Sequence, residues 1–505
     1  MFKTGVYLLI LCFMTPPAQS IAKNTTWLTG AYIFQKIFAF IYFTLVARYI
    51  GANDIGIYTF AISLTTIFTI FIDFGLSSVL TREAAKFRDK ANQYLNNIIT
   101  VKIIFSLVSY LAVVIVINLL GKPELSRIMV YLSGIVMILD SFTLAFFAIF
   151  RAHQNLKYEA VGIAINQILI LIVGLTGIFL KFPLYILVIA LLFGSLFNFL
   201  YSLILLKIKL GFNFILIWDK PILQTLFKIA LPFALAGIFV RVYSYIDQIL
   251  LSLLIGDKAL GWYSVPYKIT YAFQFIPAAF AAAIYPAMSE CYLDNKEKLK
   301  MIFDKAMYLL IILSVPAAVG IACLADKLIL SLYTAEFAPS IMALQIFIIA
   351  VIPIFLNYPA GSLLNACDRQ ATNTFNMGVT MIINIILNII LIPRYQHIGA
   401  SIAAVVSLTI LFILNLIWVP KIISYDSKFL ILKLIKTIFA ALIMCAFLLL
   451  LKEKVNFIIL IIAGAILYLG IMYCIKGYTK NDIKYLLKAI FKKAEPAEQE
   501  TLESV

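Results

Sequence analysis

Lys36 and Arg241 each lie deep within an apolar stretch of the chain. A cation at the middle of a bilayer costs roughly 2.5–3.5 kcal/mol on insertion scales, so each is expected to face a wet cavity rather than lipid. Lys36 follows the interfacial anchor Trp27 by about 13 Å of helix, too deep for easy snorkelling. Two such cations on one cavity would form an anion site. Arg can grip anionic oxygens in pairs and Lys acts as a point charge, so an anionic cargo is the ligand chemistry that suits them. The alternative is that both pair with membrane carboxylates purely for stability. Asp140 and Asp247 are the deep acids, open to two readings: ion-pair partners of these cations, or carriers of a coupling H+ or Na+. Tyr243, Tyr245, Tyr267, Tyr271 and the amide Gln35 could contact sugar, with Tyr267 and Tyr271 on one helical face. Interface belts and helix-to-helix hydrogen bonds are the competing roles for these side chains. Asp73, Arg151 and Arg48 read as residues at span ends, Arg48 capping the C-terminus of its own helix.

The elements that must hold these residues are membrane helices. Of the 505 residues, 64% are hydrophobic and only 13% charged, against about 25% charged in soluble domains. Apolar runs of about 20 residues, without strand-like alternation, predict helices and exclude a barrel. About fourteen such spans lie between residues 27 and 475. The net charge of +16 sits in loops, where the positive-inside rule accounts for it without nucleic acid. Clusters such as Arg82, Lys86, Arg88 and Lys90 put those loops, and both termini, on the cytoplasmic side.

An internal repeat organises the spans. IGANDIGIY, Ile50 to Tyr58, matches IGDKALGWY, Ile255 to Tyr263, at an offset of 205 residues. The same offset carries Lys36 onto Arg241, and they are expected to be the only two deep cations. Parallel repeats of this kind place a substrate site between two halves. The expected division is a signal-like or interfacial segment over 1–20 and an N-terminal lobe over 21–210 with a connection to 226. A C-terminal lobe with accessory helices follows over 227–475, then a basic cytoplasmic tail over 476–505. In that tail Lys480, Lys484 and Lys488 form an interfacial stripe. Pro232, Pro277, Pro316, Pro353 and Pro359 fall in spans of the second half only, which predicts more bending there.

The six cysteines are scattered without a CxxC; they read as small buried apolar residues, with neither a metal nor a disulfide framework. His153 and His397 form no catalytic constellation. There is no GxxxxGK[ST] for an ATPase, and the outer loops are too short to carry catalytic groups, so an enzyme such as a membrane glycan polymerase or ligase is not expected.

Read together, SIAKNTTWLTGAYIFQKIFAFIYFTLVARYIGANDIGIYTFA, DFGLSSVLTREAAK, ALPFALAGIFVRVYSYIDQILL, LGWYSVPYKI and NIILNIILIPRYQHIGASIA resemble the polysaccharide transporter family. These are the Wzx-type oligosaccharide flippases of the multidrug/oligosaccharidyl-lipid/polysaccharide superfamily. The resemblance runs from about Ser20 to Tyr478. It implies an all-α integral membrane protein of about 14 helices in two pseudo-symmetric seven-helix lobes around a central cavity. It also implies a polyprenyl-linked oligosaccharide as cargo, moved to the outer leaflet of the cell membrane by alternating access. The expected partners are that cargo, membrane lipids and glycan polymerase or ligase machinery, with a monomeric chain, no nucleic acid and no cofactor beyond a coupling ion. A multidrug exporter of organic cations is the alternative within the superfamily, but would be expected to carry acids where this first helix carries Lys36. A lipid II flippase would differ only in the glycan.

Overall fold

The computed structural model describes residues 18–477, with side chains from Trp27 onward. The expectations for the signal-like segment and the basic tail lie outside the described residues. Within them the chain is all helical. Helix α1, Ala18–Asp73, is broken at Gly51 into two limbs. Then come α2 (Leu76–Lys86), α3 (Ala91–Leu119), α4 (Glu124–Ala152), α5 (Leu156–Phe179) and α6 (Ile186–Leu210). The second part holds α7 (Lys220–Leu254), α8 (Asp257–Ala272), α9 (Phe275–Asp294), α10 (Lys296–Cys323), the short α11 (Ala325–Leu332), α12 (Ser340–Phe347) and α13 (Val351–Ala366). It ends with α14 (Gln370–Trp418), broken at Gln396, then α15 (Ser427–Leu451) and α16 (Phe457–Cys474). Twelve helical stretches among the described residues are long and apolar enough to cross a membrane. Two of these contain a break in the helix, at Gly51 and at Gln396.

The repeat is visible in the backbone. Gly51 and Gly256, one offset apart, both adopt positive φ, 84° and 123°, a region that glycine enters without a Cβ penalty. The next matched pair, Gly56 and Gly261, forms a reciprocal helix crossing. A Cβ on Gly56 would lie 1.7 Å from the Asp257 carbonyl oxygen, and one on Gly261 would lie 1.7 Å from that of Ala52. The second limb of α1 and α8 therefore meet backbone to backbone at this end. Polar contacts close the same seam. Lys122 Nζ reaches Asp257 Oδ1 at 2.9 Å and Ser252 Oγ at 2.7 Å, while the Ala52 N–H donates to Glu336 Oε1 at 3.1 Å.

Several end-of-span expectations change here. Arg48 Nη1 donates to the Ser331 carbonyl at 3.1 Å, so it caps α11 across the fold, not its own helix. Arg151 sits on the buried carboxylate of Glu159, with Nε to Oε2 at 2.8 Å. Pro277 and Pro353 lie in the first turns of α9 and α13, where a missing N–H is tolerated. The internal helix prolines are Pro232, Pro266, Pro286, Pro316, Pro359 and Pro393, all in the second half. The cysteine expectation is also corrected. Cys323 and Cys445 form a disulfide between α10 and α15, brought together because α15 packs along α10.

Candidate functional site: three adjoining cavities

The first cavity, about 690 Å³, lies between the first limb of α1 and helices α7 and α8. Lys36, Arg241 and Lys268 line it, one from each helix, with Asp73, Tyr245, Tyr267 and Tyr271. The repeat positions thus deliver Lys36 and Arg241 to one space. Among the described residues none of the three cations pairs with a carboxylate. Arg241 Nη1 reaches only the Thr66 carbonyl, at 3.4 Å. Lys268 Nζ lies 5.4 Å from the centre of the Phe43 ring. Among the described residues no ion pair joins Lys36 or Arg241 to Asp140 or Asp247.

Lys268 is not among the cations that the sequence singles out. Its helix begins at Asp257 and carries Pro266 inside it, so Lys268 is about 16 Å along it. Lys102 corrects the expectation of only two deep cations a second time. Its side chain is fully buried and donates to Asp73 Oδ1 at 2.6 Å, Ser141 O at 2.7 Å, Ser141 Oγ at 2.9 Å and Ser77 Oγ at 3.3 Å. Ser77 Oγ also donates to Asp73 Oδ1. Asp73 does close α1, as expected of a span-end residue, and is in addition ion-paired there. It is the one carboxylate lining this cavity, and Lys102 already neutralises it. The balance left facing the space is positive.

The second cavity, about 550 Å³, opens off the first and shares Val240, Ser244, Tyr271, Gln274 and Met377 with it. Its polar lining is tyrosine, serine and amide, with no ionisable acid or base other than tyrosine. The third, about 640 Å³, is lined by aliphatic and aromatic side chains of α8, α10, α15 and α16, and meets the first at Phe40 and Ala272. The Cys323–Cys445 bond tethers two of its walls, beside Gly320 and Met444.

The remaining expected site residues divide. Tyr243 lines the amide cavity, Tyr245 and Tyr267 the cationic one, and Tyr271 both. Tyr267 and Tyr271 lie together, as their spacing predicts, with ring centroids 4.3 Å apart and planes tilted by 33°. Gln35 is half-buried on α1 and lines none of the three cavities. Asp247 is buried away from the cations; Tyr263 Oη and the Gln248 N–H donate to its carboxylate. Asp140 lies on α4 and is exposed. Neither acid lines the cationic cavity.

The chain is similar in sequence and in fold to known proteins. The profile of the polysaccharide biosynthesis protein family matches residues 21–292, and the MatE profile matches 232–390. The probable flippase AglR of Haloferax volcanii is 31% identical over 35% of this chain and 38% of its own length. A putative O-antigen transporter of Shigella flexneri is 24% identical over 76% of this chain and 94% of its own. In three dimensions the chain resembles the lipid II flippase MurJ in its inward closed conformation, with a TM-score of 0.74 and 17% identity. That match covers 88% of this chain and 97% of the other.

Proposed function

The chain belongs to the polysaccharide biosynthesis protein family, and on that premise we propose that it flips a polyprenyl-diphosphate-linked oligosaccharide from the cytoplasmic to the outer leaflet by alternating access. It is a multi-pass membrane protein and a transporter, not an enzyme. The observation that carries the finer reading is the contiguity of three chemically different spaces. A lipid-linked glycan has an apolar tail, an anionic diphosphate and a hydroxyl-rich head. The apolar, cationic and amide cavities match these parts in that order, and the cationic one touches both others.

Lys36 and Arg241 are assigned to the diphosphate, with Lys268 as a third cation. Charge-assisted hydrogen bonds from such cations to phosphate are short and strong. The tail would stay in contact with lipid while only the polar head passes between the lobes. The seam at Gly56 and Gly261 would face outward with both termini cytoplasmic, and would have to part for release. Organic-cation export is disfavoured because the one lining carboxylate is already held by Lys102.

The test is the double variant Lys36→Ala/Arg241→Ala at wild-type protein level. We expect lipid-linked glycan to build up on the cytoplasmic leaflet and flipping in proteoliposomes to fall by roughly 100-fold, about 2.7 kcal/mol. Wild-type rates in the double variant would overturn the assignment. Drug hypersensitivity with normal surface glycan would favour extrusion instead.

A further inference from the structure

We infer that the amide cavity is a binding subsite for uncharged sugar, and that it selects cargo whose first sugars carry no acid. The inference rests on the diphosphate reading of the neighbouring cavity, which sets where the glycan begins.

The amides are held from behind. Asn415 Nδ2 donates to Asn357 Oδ1 at 2.8 Å and to Asn373 Oδ1 at 3.1 Å; Asn373 Nδ2 donates to Asn365 Oδ1 at 3.1 Å. Asn376 Nδ2 in turn fixes Asn415 Oδ1 at 2.8 Å. The side-chain oxygens of Asn357 and Asn365 are thus occupied, and their NH2 groups have no acceptor among the described residues. Both line the cavity. A fixed amide whose donors face an open space is suited to hydroxyl oxygens, and a network already satisfied behind it adds little ordering cost on binding. Tyr285 lines the same wall and is 40% exposed, leaving an aromatic face on which the C–H face of a sugar ring can pack. At about 550 Å³ the space falls within the range of small-ligand sites, roughly 300–1,000 Å³.

Selectivity follows from what is missing. The lining offers no Lys, Arg or His. A uronate seated there would exchange water for neutral dipoles with no cation to compensate, a penalty that an uncharged hydroxyl avoids. The diphosphate meets cations next door, so charge on the headgroup is welcome in one compartment and charge on the adjoining sugar is rejected in the other.

The experiment uses the full chain in nanodiscs and three probes: polyprenyl diphosphate without sugar, the same lipid with a neutral disaccharide, and the same lipid with a uronate-containing disaccharide. The neutral glycan should tighten binding about tenfold over the bare lipid, and the uronate should give no gain. Asn357→Leu and Tyr285→Ala should each erase the gain from neutral sugar and leave binding of the bare lipid unchanged. Equal affinity for bare and neutral-glycan lipid in the wild type, an equal gain from the uronate, or variants that weaken both lipids alike would overturn the inference. If Lys36→Ala/Arg241→Ala binds the bare lipid as the wild type does, the diphosphate reading falls instead. The gain from neutral sugar then still reports on the amide cavity.

Discussion

Two sets of intramembrane cations, one sealed and one facing open space, are treated in opposite ways in this molecule. Lys102 is sealed by Asp73, Ser77 and Ser141. Lys36, Arg241 and Lys268 face a cavity with no carboxylate of their own. A charge in a low-dielectric interior must be compensated, by the protein or by something that arrives. The first set is compensated at folding. The second has its compensation left to water and, on our reading, to cargo. Loss of a Lys102 partner should therefore show in stability, and loss of a cavity cation should show in binding.

The largest effect should come from Lys102→Met. It leaves the Asp73 carboxylate buried without its cation, which costs about 3–5 kcal/mol for pairs of this kind. The melting temperature in detergent should fall sharply. Adding Asp73→Asn should recover most of the loss, because the orphaned charge is then gone. A single variant as stable as the wild type would erase the contrast between the two sets.

Much of one side of this comparison could be read in the sequence, and little of the other. Lys36 and Arg241 stood out because each is isolated in apolar surroundings and because the glycine-marked repeat superposes them. Gly51 and Gly256 take positive φ as matched turns should. Tyr267 and Tyr271 meet because four residues close one helical turn. Lys102 was hidden by its partner. Asp73 is on another helix, and no periodicity within either helix reports a contact between them. The same limit hid the Cys323–Cys445 bond, whose ends are 122 residues apart. The amide cavity was obscured differently. Asn357 and Gln274 are amides within apolar stretches, and in a sequence helix-to-helix bonding and a cavity lining look alike until the backbones are placed. Here Asn357 does both, with its oxygen bonded to Asn415 and its residue lining the space.

A smaller effect is expected from Lys268→Gln. Since no carboxylate depends on Lys268, the substitution should leave the melting temperature unchanged. One charge-assisted contact is worth about 1.5–3 kcal/mol. Water and the two remaining cations should recover part of it, so affinity for polyprenyl diphosphate should drop by about tenfold. A loss of stability in place of affinity would move Lys268 into the same class as Lys102.

The smallest effect should come from a pair that is neither sealed nor facing the cavity. Lys452 Nζ lies 2.9 Å from Asp326 Oδ2 at the ends of α15 and α11, with both side chains more than a quarter exposed. Burial alone would raise the Asp326 pKa. The hydrogen bond from Lys452, the backbone N–H of Lys327 and the Lys452 charge outweigh it and hold the carboxyl below its usual range. A folded-state value below the unfolded one contributes stability above the unfolded pKa and loses it as pH falls through the folded value. Solvent screening keeps such a pair to roughly 0.2–1 kcal/mol. Asp326→Asn should therefore lower the melting temperature slightly at neutral pH, and the difference from wild type should vanish under acid conditions. An effect as large as that of Lys102→Met would mean that burial does not set the worth of an ion pair in this fold, and the contrast between sealed and open cations would lose its physical basis.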